Sequence, residues 1–143
     1  MRRPGPGRVL VDTGPLVAIL DDRDAHHKSC VQALALLDGP LYTCWPVLTE
    51  AAWLLRHSPD AVRRLLKSID TDFVHLLSLA GSEARPIAEL LSKYKSLRPQ
   101  LADAAVVYLA SRERIETIFT LDRRDFSIYR TKRGRSFRIL PDS

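Results

Sequence analysis

The chain has 143 residues, 45% of them hydrophobic, and carries a net charge of +5 with a pI near 9.6. That length makes one domain, residues 1–143, able to bury about 68–70% of the surface its unfolded form exposes without disulfide staples. The two cysteines, Cys30 and Cys44, have no metal-type spacing and sit in apolar stretches, so they read as reduced core residues. The start MRRPGPGRV lacks an apolar signal region, and no window approaches the roughly 18 apolar residues of a membrane span, which points to the cytoplasm.

After a flexible extension over residues 1–7, Arg8 to Asp12 (RVLVD) is expected as the first strand, followed by a Gly-Pro turn and a short helix through Leu20. A second helix is expected from His26 to Leu37, ended by Gly39-Pro40. LYTCW, Leu41 to Trp45, reads as the second strand, with Thr49 capping a helix that carries Glu50 in its first turn. Ser58-Pro59-Asp60 has the form of a helix start: a capping serine, proline at the first position and an acid in the first turn. Phe73 to Leu79 reads as the third strand, and Ser82 opens a helix through Tyr94. Pro99 precedes the helix LADAAVVYLASRER, whose Ala104 and Ala105 allow close packing. Thr117 to Leu121 and Ser136 to Leu140 complete the strands. Tyr42, Trp45, Trp53 and Tyr108 read as core or interface residues. Apolar strands alternating with helical periods predict an α/β protein, its mostly parallel sheet linked by helices.

Positive charge is concentrated near the C-terminus. Between Arg123 and Arg138 lie seven cations against the single Asp125. Such a stretch favours a polyanion, by phosphate pairing and counterion release, although a solvated surface or a dock for an acidic protein segment has the same composition. The segment from Thr131 to Arg135 is expected to be mobile.

Four acids fall where a strand hands over to a helix: Asp12, Glu50, Asp103 and Asp122. Each has an ordinary explanation, as a cap, a turn former or a first-turn acid that offsets a helix dipole. Their neighbours argue for more. Asp12 follows Val-Leu-Val and Asp103 precedes Ala-Ala-Val-Val, both core-forming runs beside which an unpaired charge is costly. Hard cations such as Mg²⁺ take oxygen ligands from a few carboxylates plus water, so a metal site is the alternative that unites the four. Adjacent His26 and His27 have no serine or cysteine placed to form a relay.

From VLVDTGPLVAILDDRDAHH through TCWPVLTEAAWLL to LADAAVVYLASRERIETIFTLDRRDF, the chain resembles PIN domains, in particular the VapC type of toxin ribonuclease. The resemblance implies a three-layer α/β/α sandwich that cleaves RNA with Mg²⁺ or Mn²⁺. It implies Asp12, Glu50, Asp103 and Asp122 as the catalytic acids, with Asp12, Asp103 and Asp122 on the metal, and Thr13 and Thr120 as supporting hydroxyls. Arg123, Arg124 and Arg130, following Asp122, are candidates for substrate phosphates. A small antitoxin and a homodimer are the implied partners. A PIN-like module that binds RNA without cutting it, or a DNA-directed nuclease, are the competing readings.

Overall fold

Five three-residue strands, rich in buried aliphatic side chains, form the centre of the protein, seen in a computed structural model that describes residues 5–142. They are β1 (Val9–Val11), β2 (Leu41–Thr43), β3 (Val74–Leu76), β4 (Thr117–Phe119) and β5 (Arg138–Leu140), joined in the order β3-β2-β1-β4-β5 with every pair parallel. Around them lie α1 (Thr13–Leu20), α2 (His27–Ala35), α3 (Trp45–Leu54), α4 (Pro59–Asp70), α5 (Ala84–Lys93), α6 (Leu101–Glu113) and the single turn α7 (Arg123–Phe126). The expected α/β sandwich is borne out, with a sheet that is wholly parallel.

Helix α6 is the innermost. Ala102, Ala104, Ala105, Val106, Val107, Leu109 and Ala110 are all buried, so it is apolar around most of its girth, as a core helix must be. Its alanines let it lie close to β1. Helix α4 begins as its sequence demands: Ser58 Oγ accepts the amide of Ala61 at 3.3 Å, and Pro59 takes the first position. Such a cap contributes about 1 kcal/mol. Cys30 and Cys44 are both buried and unpaired, and burial pushes the Cys44 thiol up to about 11.

Several boundaries differ from expectation. The second strand ends at Thr43, and Trp45 is the first residue of α3. Pro46, whose fixed φ suits the first helical turn, starts that helix early. Thr49 is therefore inside α3, its hydroxyl donating to the Trp45 carbonyl at 2.9 Å, and Glu50 falls in the second turn. Trp45 and Trp53, expected in a core or interface, are 55% and 63% exposed. Gly81–Glu83 form a 3₁₀ turn, so the next helix starts at Ala84.

The Thr131–Arg135 segment, expected to be mobile, is a hydrogen-bonded turn. Thr131 donates its amide to Arg135 O at 2.9 Å, Gly134 donates to Thr131 O at 2.8 Å, and the Lys132 amide reaches Ser111 Oγ on α6 at 3.0 Å. Of the expected N-terminal extension, residues 1–4 lie outside the described residues. Gly7 adopts a left-handed φ of 65° and donates its amide to Asp38 Oδ1 at 3.1 Å.

Candidate active site

The chain places β2 and β3 on one side of β1, and β4 and β5 on the other. In open parallel sheets, ligands sit outside the carboxyl ends of the strands at such a switch point. Val11 pairs with Phe119, so the next residues, Asp12 and Thr120, leave the sheet side by side. The Thr120 hydroxyl donates to Asp12 Oδ2 at 2.9 Å.

The other acids arrive from three elements. Glu50 comes from α3, and its Oε2 accepts the Thr13 hydroxyl at 3.0 Å. Asp103 lies in the first turn of α6, where Oδ2 accepts the Gln100 amide at 2.9 Å. That is the ordinary capping role, and it occupies only one carboxylate oxygen. Asp122 follows β4; its amide donates to Thr120 Oγ1 at 3.1 Å, and its Oδ1 accepts the Asp125 amide at 3.1 Å. Thr120 thus holds the two strand-end acids together.

Asp12, Glu50, Asp103 and Asp122 line one open cleft of about 490 Å³, with Thr13 and Gln100 on its wall. Gly14 lets the start of α1 approach the residue before Asp122, since a Cβ there would stand 3.2 Å from the Leu121 side chain. The amino ends of α1 and α6 both meet this cleft, and their partial positive charge offsets some of the repulsion among the acids.

The offset is incomplete. Burial pushes the Asp12 carboxyl up to about 6; the Thr13 amide and Thr120 hydroxyl pull it down, and the charges of Asp103 and Glu50 raise it further. Asp103 is raised as well, first by burial and then, against the pull of the Gln100 amide, by Glu50, Asp122 and Asp125. Among the described residues, every ion pair involves an acid outside the cleft. Although the chain has a net charge of +5, no basic side chain pairs with these four carboxylates among the described residues.

Asp12 Oδ1 is buried and has no hydrogen-bond partner, a state that costs about 1–3 kcal/mol and more when the group is charged. Oxygen donors with an orphaned buried carboxylate oxygen fit a hard divalent cation. Among the described residues no three His, Cys, Asp or Glu side chains are grouped closely enough to hold a metal ion by themselves. Mg²⁺ retains several waters, through which it would reach those carboxylates that it does not bind directly.

The arginines expected at substrate phosphates are differently engaged. Arg123 Nη1 donates to Pro141 O at 2.6 Å, and Arg130 Nη1 donates to the carbonyls of Ser127, Ile128 and Tyr129. The Arg124 side chain is exposed and donates no hydrogen bond among the described residues, and its charge acts on Asp125.

Two residues beside the cleft were not singled out from the sequence. Asp125 is raised by burial and by the adjacent Asp122; its spacing of three from Asp122, within one helical turn, was the available signal. The Tyr129 ring is packed edge-on against Phe126 and Tyr94, its hydroxyl is buried without a partner, and burial together with four nearby aspartates raises its pKa. No local pattern marks that residue.

The PIN domain family matches residues 9–132. Over 135 residues the chain is 31% identical to ribonuclease VapC26 of Mycobacterium tuberculosis (strain ATCC 25618 / H37Rv), covering 93% of this chain and 100% of that protein. The crystal structure of Mycobacterium tuberculosis VapC20, a sarcin-ricin loop cleaving toxin, aligns with a TM-score of 0.72 at 19% identity over 77% of this chain and 86% of the other. At that identity the likeness is one of fold.

Proposed function

We propose that this chain, which belongs to the PIN-domain family, is a metal-dependent endoribonuclease hydrolysing RNA phosphodiester bonds, and the toxin of a type II toxin–antitoxin pair. The observation that carries the reading is the cleft itself, in which four carboxylates from separate elements gather with no basic side chain paired to them among the described residues, and one buried oxygen of Asp12 has no partner. The similarity to ribonuclease VapC26 supplies the substrate class.

Asp12, Asp103 and Asp122 are the residues that would hold Mg²⁺ or Mn²⁺. Such an ion supplies a water of lowered pKa and neutralises charge on the scissile phosphate. Glu50 orients the attacking water and takes its proton, with Thr13 fixing the carboxylate by its hydrogen bond to Oε2. Thr120 fixes Asp12 and the start of the Asp122 turn. Arg124, and the donors that Arg123 does not commit to carbonyls, would meet substrate phosphates beside the cleft, whose wall none of the three arginines forms; Arg130 lines a cavity along α6 instead.

An antitoxin would occupy or cover the cleft. The exposed Trp53 and Leu54 on α3, and Val31 and Leu36 on or next to α2, are apolar surface of the kind that supports a homodimer or that antitoxin. No described helix is long and apolar enough to cross a membrane.

Purified protein should cut a structured RNA pool, one that includes a sarcin–ricin stem-loop, with Mg²⁺ or Mn²⁺ and not with EDTA, while Asp103→Asn should bind the pool without cutting it. Equal binding with no cleavage by either protein under any metal would favour a non-catalytic RNA-binding module. Preferential cutting of DNA would reassign the substrate.

A further inference from the structure

Away from the acid cleft, the turn Thr131–Arg135 stands between two cavities of about 440 and 460 Å³ that share Ser111, Arg112, Thr131 and Lys132. Together they form one groove along the carboxyl-terminal half of α6. Lys93 and Arg130 line one end, Arg114, Arg133 and Arg135 the other, and Arg112 and Lys132 the middle. Three of these cations are already engaged: Arg112 pairs with Glu83 and Glu113, Arg135 pairs with Glu116 at 2.8 Å, and Arg130 donates to the carbonyls of Ser127, Ile128 and Tyr129; Lys93 lies over the Tyr94 ring. The exposed side chains of Arg114, Lys132 and Arg133 form no ion pair or hydrogen bond among the described residues.

These cations are presented on a fixed frame. The turn is closed by the Thr131–Arg135 and Gly134–Thr131 hydrogen bonds, Arg135 donates its amide to Thr131 Oγ1 at 3.1 Å, Gly134 takes a φ of 79°, and Lys132 is tied to α6 through Ser111. The groove is also separate from the acids. Asp103 and Arg112 lie nine residues apart on one helix, an axial separation of about 13 Å, so an RNA strand crossing the cleft needs a few further nucleotides to arrive there.

We propose that the groove flanking the Thr131–Arg135 turn is a second contact site for the sugar–phosphate backbone of the RNA, remote from the acid cleft. The inference rests on the RNA-directed reading given above. Phosphates need only spaced, unpaired cations, and Arg114, Lys132 and Arg133 supply three. A docked protein segment would instead draw its affinity from apolar anchors in desolvated pockets. At the turn's end the groove offers only Ala110 and Ile115, both already buried in the core, whereas Pro86, Leu90 and Tyr108 make the opposite end the more apolar. At the turn, where Arg114, Lys132 and Arg133 stand, the chemistry therefore favours nucleic acid over an acidic peptide.

The test uses the full chain with Arg114, Lys132 and Arg133 all changed to alanine, compared on a short oligoribonucleotide that spans the acid cleft alone and on the same sequence within a longer strand. The triple variant should cut the short substrate at the wild-type kcat/KM and lose about tenfold or more on the long one. In an Asp103→Asn background, the slope of log affinity against log salt for the long strand should become shallower by about 2, from roughly 0.7 for each phosphate no longer neutralised. Lys132→Glu with Arg133→Glu should exaggerate both effects, and unchanged thermal melting excludes misfolding as their cause.

Equal losses on short and long substrates, or an unchanged salt slope, would overturn the proposal. So would intact RNA binding combined with weakened capture of the purified antitoxin, which would make the groove a protein dock. If the wild type cuts no RNA at all, the nuclease reading fails by itself, and the salt slope still decides whether this groove binds RNA.

Discussion

Asp12 makes a prediction that needs no substrate. Its carboxyl is buried, its ordinary value of 3.8 is raised to about 6, and Oδ1 has no partner. Between those two values the folded protein holds a proton that the unfolded chain has released, so the metal-free fold loses stability as pH rises. A rise of about two units at about 1.4 kcal/mol each makes the total loss about 3 kcal/mol, most of it between pH 4 and 6. For a domain of this size that corresponds to roughly 10 °C in Tm. Asp12→Asn removes the charge and with it this part of the slope. The assay is thermal or urea unfolding of both proteins from pH 4 to 8 in EDTA, taking the difference between the two at each pH so that other titrating groups cancel. The variant should gain on the wild type steadily from pH 4 to 6 and hold the gain above. Excess Mg²⁺ should then restore wild-type stability, by about 2.7 kcal/mol at a hundred times its Kd, and leave the variant little changed. Parallel pH profiles in EDTA would refute the argument that Asp12 is a strained, uncompensated charge.

Thr120→Val deletes the donor to Asp12 Oδ2 and the acceptor of the Asp122 amide. It should destabilise by about 1–3 kcal/mol and shift the Asp12 midpoint upward, seen as a displaced acid limb in the pH–rate profile that Thr120→Ser restores. Tyr129→Phe removes a buried hydroxyl without a partner, so urea unfolding should show unchanged stability or a gain of up to about 1 kcal/mol. A loss larger than that would mean the hydroxyl is bonded to a water or an acid of the cleft.

Asp12 and Asp122 were legible because each ends an apolar run that could only be a strand, and the ends of parallel strands on either side of a switch point must meet. Asp103 was less legible: the alanines that follow it allow α6 to pack close to the sheet, but only the tertiary structure sets its amino end at the edge where the strand-end acids lie. Glu50 reached the cleft by a different route from the expected one. The β-forming residues of LYTCW read as strand through Trp45, whereas Pro46 starts the helix there and sets Glu50 one turn further along. The face of α3 turned to Thr13 is what places it. Asp125 and Tyr129 come to the acids through packing around α7, and the engagement of Arg123 and Arg130 with carbonyls is likewise set by tertiary structure.

The Thr131–Arg135 turn shows the same limit with a consequence for binding. Two basic residues and an arginine around a glycine have the composition of a mobile loop, and the order comes from hydrogen bonds within the turn together with one across 21 residues to Ser111 that ties it to α6. A mobile loop would lose about 1–2 kcal/mol per residue of backbone freedom on gripping a phosphate. In the folded protein that cost is already met, so only the side chains of Arg114, Lys132 and Arg133 remain to be ordered. Unpinning the turn should therefore weaken long-RNA binding while leaving every cation in place. Ser111→Ala, which removes the Lys132 anchor, should lower affinity for the long strand without changing the salt slope, whereas the alanine triple changes both. A Ser111→Ala protein with wild-type affinity would show that the turn's rigidity contributes nothing.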